Sequence, residues 1–352
     1  MNLLALPRYQ RLGPSSRVRF YQYYPALQRQ GFVIRDAPFF FDDYVRRLYA
    51  NQPVQIVDVL SAYWRRLFVL LRVRDFDLLW LEKEFLPWMP AWMETLLARQ
   101  PYVVDYDDAV FHRYDLHRNA LVRRLLGRKI DRVMRNAALV VAGNEYLAKR
   151  ACAAGAQRVE ILPSVVDADL YAPAPTRASG FTVGWIGSPV TAPYLDVARP
   201  ALEMLTNGGQ AQVSLIGAGD AIKWENTNVH FLPWREETEI QNIRRFDVGI
   251  MPLLDEPFER GKCGYKLIQY MACGLPVIAS PVGVNRQIVE HGVTGFIASS
   301  PDEWIQALDY LHKNPSARQE MGQAGRKKME AEYSLQATAP KLAALLRSAQ
   351  TQ

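Results

Sequence analysis

The sequence predicts an α/β protein built from two doubly wound parallel sheets, one in each half of the chain. Three observations carry this expectation. A chain of 352 residues exceeds the roughly 250–300 at which a single core stops growing. Short apolar runs alternate throughout with segments of helical length. A stretch without periodicity and with two prolines, Tyr171–Gly180, splits that alternation in the manner of a linker. With 49% hydrophobic and 22% charged residues, the composition is that of a folded globular chain.

In the first half the apolar runs Asn2–Leu6, Phe32–Arg35, Phe76–Leu81, Tyr102–Tyr106, Ala138–Ala142 and Val159–Leu162 read as strands. Ser15 or Ser16 is expected to cap a helix over Arg17–Gln30, whose Val18, Tyr21, Tyr24 and Leu27 follow helical spacing until Gly31 stops it. Beyond the linker, Phe181–Ile186, Gln212–Ile216, Val229–Leu232, Val248–Pro252, Pro276–Ala279 and Gly295–Ala298 read as strands, with helices over Thr238–Phe246 and Tyr265–Ala272. Ser300-Pro-Asp-Glu303 has the pattern of a capping box and launches a helix over Trp304–His312. The expected division is residues 1–172, residues 173–330, and a C-terminal helix over 331–352 that packs back toward the first domain.

Charge is unevenly distributed. Residues 1–170 hold 25 Lys and Arg against 18 Asp and Glu, a net +7, whereas residues 171–352 hold 17 against 18. The excess, concentrated in Arg8, Arg11, Arg17, Arg19 and in Arg118 through Arg135 among Tyr, Phe, Leu and Trp, suits an anionic membrane surface or an anionic acceptor. An exposed subset of the aromatics around Phe85–Trp92 could dip into a membrane interface. No zinc-finger spacing, basic heptad region or RNA-binding signature points to nucleic acid. No apolar run reaches the length of a membrane span, and Pro7 interrupts the opening run before it could form a signal-peptide core. Cys152, Cys263 and Cys273 lack metal-ligand spacing, so a reducing, cytoplasmic setting is expected.

Several chemistries lack their motifs. No complete Gly-x-Gly-x-x-Gly follows a strand, and neither a P-loop, a His-Glu-x-x-His nor a Gly-x-Ser-x-Gly occurs. The dense segment is Glu256–Ser280, which follows a strand and opens a helix with glycines. Lys262 and Lys266 lie four apart near that helix's start, where unpaired N–H groups and the helix dipole favour an anion such as a diphosphate. The alternative is a pair of solvated surface lysines.

Tyr270-Met-Ala-Cys-Gly-Leu-Pro-Val-Ile-Ala-Ser280, followed by Gly283 and His291-Gly-Val-Thr-Gly-Phe-Ile297, resembles the second domain of family 4 (group 1) glycosyltransferases, in a bacterial branch. Gly184–Leu195, Val213–Gly217, Val140–Asn144 and Val103–Phe111 extend the resemblance through nearly the whole chain. The resemblance implies a GT-B fold of two Rossmann-like domains facing a central cleft. It implies a nucleoside diphosphate sugar donor held by the second domain, an acceptor held by the first, and retention at the anomeric carbon. Neither a cofactor nor a metal is expected. Registered on Met271, the family's two glutamates fall at Gly261 and Gln269, so both carboxylates are absent. Gln269 is expected to bond the donor's ribose, and Glu259 to substitute for the first glutamate. The family's Arg and Lys after the first strand of this domain are replaced by Gly187-Ser-Pro-Val-Thr191. Gly187, Ser188, Thr191, Lys262, Cys263, Gly264, Lys266 and Gln269 therefore form the expected donor site, with Lys262 and Lys266 supplying the charge.

On the acceptor side, Asp107 or Asp108 is expected to contact the acceptor or act in catalysis, with His112 as a second acid/base; helix capping is the alternative role for the carboxylates. Asp105-Tyr-Asp107 could alternatively bind a divalent cation. Gly13, Ser15, Ser16 and Arg17 in the first loop could touch phosphate or acceptor, or form an ordinary turn. The expected protein is a cytoplasmic enzyme, peripheral at the membrane, moving a hexose to a hydroxyl of a glycan or lipid-linked acceptor in polysaccharide synthesis. The alternatives are a nucleotide-sugar-binding scaffold and a GT-B-fold isomerase.

Overall fold

The computed structural model describes residues 1–350 except 51, 98–99, 174–179, 210 and 227. Most of the expected linker, residues 174–179, thus lies outside the described residues. The chain divides into two compact units: Met1–Ser164 with Arg260–Cys263 and Thr338–Gln352, and Val165–Glu259 with Gly264–Ala337. The units part at 164/165, where sequence placed the boundary at 172/173. The C-terminal helix, Leu335–Gln350, is shared: its later residues count with the first unit, where Arg347 donates to the Gln30 carbonyl and Tyr23 meets Thr338 at 3.0 Å.

The first unit holds strands β1 (Asn2–Leu6), β2 (Val33–Asp36), β3 (Leu78–Glu82), β4 (Tyr102–Tyr106), β5 (Leu139–Ala142) and β6 (Val159–Ile161). They form one parallel sheet in the order β2-β1-β3-β4-β5-β6. Every residue of β3, β4 and β5 is buried while those of the edge strands β2 and β6 are exposed or half-buried, as expected of a parallel sheet covered on both faces. The second unit holds β7 (Thr182–Ile186), β8 (Gln212–Ile216), β9 (Val229–Leu232), β10 (Val248–Met251), β11 (Val277–Ala279) and β12 (Gly295–Ile297), parallel in the order β12-β11-β10-β7-β8-β9. The chain's direction of travel reverses between β1 and β3 in one sheet and between β7 and β10 in the other. Such switch points open crevices at the carboxyl ends of strands, where α/β proteins bind ligands.

The expected helix over Arg17–Gln30 is instead broken. A helical turn begins earlier, at Pro14 behind Gly13, widens over Arg17–Tyr21 where Gln22 N–H reaches back five residues to Arg17 O, and resumes at Tyr24–Arg29. Neither serine caps it. Ser16 Oγ donates to buried Glu82 at 2.6 Å and accepts from Tyr9 N–H at 3.0 Å, and Pro25 has no N–H to continue the ladder. The capping box forms as expected, with Ser300 and Glu303 reciprocally bonded ahead of Pro301–Lys313.

Candidate functional site

In the second unit, β7 delivers Gly187, Ser188 and Thr191 to the switch point. Ser188 N–H donates to Thr191 Oγ1 at 3.1 Å, and that hydroxyl donates back to Ser188 O. A Cβ on Gly187 would stand 2.4 Å from the Trp185 ring and 2.7 Å from Thr191 Oγ1, so only glycine lets this loop close over the strand end. The helix Tyr265–Ala272 is positioned by Tyr270, whose hydroxyl accepts from Ile186 N–H at 2.9 Å and donates to Ile250 O at 3.3 Å. One buried side chain thus ties the helix to both strands of the switch point. Gly264, at φ 65°, caps the helix. Lys266, in its first turn, lies with Nζ 4.3 Å from the Trp185 ring centroid and 3.4 Å from Thr191 Oγ1. The ring face holds the ammonium over the loop. Gly187, Ser188, Thr191, Gly264 and Lys266 are therefore brought together.

Gln269 is buried, and its amide nitrogen donates to Tyr171 OH at 3.0 Å and Glu239 Oε1 at 2.7 Å. Tyr171 OH and Trp234 Nε1 also donate to Glu239. The Gln269 amide hydrogens are thus spent within the unit. The carboxylate of this corner is Glu239, from the helix Glu236–Ile243, which the sequence reading missed. Burial pushes the Tyr171 hydroxyl well above its ordinary range, so it remains a neutral donor to Glu239. Glu259 is buried and accepts from the Tyr194 hydroxyl.

Arg260–Cys263 packs with the first unit. Asn144 caps the helix Glu145–Ala154 through Oδ1 and donates Nδ2 to Gly261 O at 2.9 Å and Lys262 O at 3.1 Å. A Cβ on Gly261 would lie 2.6 Å from Ala109 Cβ and 2.8 Å from Ala109 N. No glutamate fits there on the backbone as it stands. Gly261→Ala is accordingly expected to lower stability by about 1–3 kcal/mol, as overpacking does, and Gly261→Glu by more, read as the denaturation midpoint of each variant. Cys263 is buried, which pushes its thiol up to about 12. It remains a neutral thiol and contributes packing. Lys262 and Cys263 thus count with the first unit, and Gly264 and Lys266 with the second.

At the first unit's switch point stands a charge cluster. Lys83, directly after β3, is buried at φ 66°, a left-handed conformation that costs energy for a side chain of this size. Its Nζ lies 2.9 Å from Asp107 Oδ1, 3.0 Å from Asp108 Oδ2 and 3.3 Å from Ser15 Oγ. Burial opposes the charged lysine, but Asp107 and Asp108 outweigh it and raise its pKa. Burial likewise opposes Asp108 ionisation, yet Lys83, then Arg113 and Lys262, bring it down to about 2. Glu82 accepts from Arg8 N–H and Ser16, and Glu84 from Arg8 Nη1, Tyr114 and Lys129. Ser15, Ser16, Asp107 and Asp108 therefore converge, while Gly13 packs on Tyr9 and Arg17 Nη1 reaches Arg11 O. Glu82, Lys83 and Glu84 were missed. The signal was three consecutive charges at the end of a buried strand.

His112 meets Asp115 through Nδ1 and Tyr146 OH through Nε2, each at 2.8 Å. Asp105 is gripped by Arg19 through Nε at 2.7 Å and Nη2 at 3.1 Å, both groups buried, so Asp105-Tyr-Asp107 does not present a cation site.

Two parallel six-stranded sheets, each with its own switch point, define a GT-B protein. Residues 180–314 match the family described as glycosyl transferases group 1. The D-inositol 3-phosphate glycosyltransferases of Mycobacterium tuberculosis and Mycobacterium bovis are 25% identical over 177 residues, a stretch covering 44% of this chain and 36% of those proteins. The fold matches Anabaena Alr3699/HepE, solved in complex with UDP and glucose, at TM-score 0.73 and 19% identity over 99% of this chain and 100% of that one. It also matches sucrose-phosphate synthase from Thermosynechococcus elongatus at TM-score 0.71 and 15% identity, over 99% and 98%. The match to the group 1 glycosyltransferases thus lies almost wholly within the second unit, and the alignment spans about a third of the length of those curated relatives.

Proposed function

We propose that the protein is a retaining, metal-independent transferase of family 4 type that moves a hexose from a nucleoside diphosphate sugar to a hydroxyl of a glycan or lipid-linked acceptor, in polysaccharide synthesis at an anionic membrane surface. The observation that carries this reading is the Lys266 ammonium held on Trp185 beside the Gly187–Thr191 loop, at the start of a helix and at a sheet switch point. The diphosphate would rest on the loop and helix N-terminus, with Lys266 offsetting the charge that develops as the anomeric bond breaks. A leaving-group oxygen would take the acceptor's proton on the same face, so no protein nucleophile is required. Asp107 and Asp108, paired with Lys83, would accept hydrogen bonds from acceptor hydroxyls.

The test is thermal unfolding of the full chain with UDP, GDP, ADP, dTDP and CDP, with and without EDTA. UDP comes first because the Anabaena neighbour was solved with it. A nucleotide at about a hundred times its dissociation constant should add about 2.7 kcal/mol of stability. A shift that survives EDTA is the expected result. No shift with any nucleotide would sink the donor site, and a shift abolished by EDTA would sink metal independence. Binding without sugar release or transfer would favour a scaffold.

A further inference from the structure

The helix Ile56–Leu71 in the first unit places its largest apolar side chains outward. Ile56 is 75% exposed, Leu60 55%, Trp64 63%, Phe68 59% and Leu71 62%. Steps of four, four, four and three confine these side chains to an arc of about 120°, while Ala62, Arg66 and Leu70 on the other side are buried. The stripe is far wider than the scattered exposed residues of an ordinary surface, and such a stripe marks an interaction face.

What surrounds the stripe indicates its partner. Tyr63, beside Trp64, donates its hydroxyl to Pro87 O, which places Trp88 next to the helix. Trp88 lies 5.8 Å from the His117 ring, and Arg123 Nη1 donates to the carbonyls of His117 and Arg118. Arg118, Arg123 and Arg124 are exposed, on or just ahead of the helix Ala120–Leu126, which itself exposes Leu121 and Leu125. Asp58, the single acid on the long helix, is paired with Arg47 at 2.8 Å. An apolar stripe thus adjoins a run of cationic side chains without intervening acid on the helix.

We propose that this face is the membrane-docking surface, with the Ile56–Leu71 helix lying in the plane of an anionic bilayer and Trp64 and Phe68 inserted at the headgroup boundary. A second copy of the chain fits less well, because a symmetric contact would bring the same arginines against one another. An anionic bilayer satisfies both halves of the surface, the stripe by burial and the arginines by surface potential. The helix of 16 residues is about 24 Å long, and no described helix is long and apolar enough to cross a membrane. The inference rests on the proposed membrane setting, but not on the donor site.

The experiment is flotation of the full-length protein with vesicles of equal parts phosphatidylglycerol and phosphatidylcholine, and with phosphatidylcholine alone, across a salt series. Wild type should float with the anionic vesicles and progressively less as salt rises. Trp64→Glu/Phe68→Glu should weaken binding more than about tenfold, and Arg123→Gln/Arg124→Gln should weaken it and flatten its salt dependence. All four positions are exposed, so melting temperature and nucleotide-induced shift should stay at wild-type values. That control separates failure of this surface from failure of the donor site. Wild type that ignores anionic vesicles, or a Trp64→Glu/Phe68→Glu variant that binds as wild type does, overturns the proposal. So does a wild-type dimer that fails to float and is split by the same substitutions, which would make the face a self-interface.

Discussion

Lys266→Ala should lower turnover by about 10²–10³-fold, the loss typical when one preorganised electrostatic stabiliser is removed from a transition state. The ammonium lies on the Trp185 ring and beside Thr191 Oγ1, so its position is set before any ligand arrives. Release of nucleoside diphosphate from the nucleotide sugar reads the effect directly. An interaction made mainly in the transition state lowers kcat, whereas one made equally with bound substrate raises KM. Lys266→Arg should recover part of the rate, since it keeps the charge and the stacking but changes the reach. An unaltered melting temperature for the alanine variant would separate lost chemistry from lost fold. Near-normal turnover would sink the assignment.

The largest effect on stability is expected at Arg19. Its guanidinium makes two bonds to Asp105 and a third to Leu162 O at 2.9 Å, and both members of the pair are buried. Burial disfavours each ion, and their mutual attraction with good geometry offsets that cost only while both are present. Arg19→Met should therefore cost about 3–5 kcal/mol, because it strands the Asp105 carboxylate in the core and leaves a carbonyl without its donor. Arg19→Met/Asp105→Leu should recover most of the loss. The measurement is calorimetric or denaturant unfolding of the three variants. A double variant no more stable than Arg19→Met would show that the loss reflects packing rather than an uncompensated charge.

Much of the architecture was legible in the sequence for a specific reason. Strands of a parallel sheet covered on both faces read as continuous apolar runs, and all twelve expected runs coincide with strands to within a residue or two, among them Tyr102–Tyr106 and Gln212–Ile216. The Ser300–Glu303 box was legible because both partners lie within one turn. The helix over Arg17–Gln30 was misread because Ser16 bonds Glu82, 66 residues away, rather than its own helix. The absence of a glutamate at Gly261 was visible, but the close approach of Ala109 to that position was not.

The sequence by itself determined which segments are strands, and that Gly187, Thr191 and Lys266 flank the same sheet. Tertiary structure alone decided which charges meet. It set Lys83 against Asp107 and Asp108, Arg19 against Asp105, and Gln269 against Glu239, and it occupied both nitrogens of His112. The physical reason is range. Periodicity, caps and turns act between neighbours along the chain, whereas ion pairing in a low-dielectric interior depends on which strand ends lie side by side. Strand order, not composition, made Glu82 and Lys83 part of the first unit's centre.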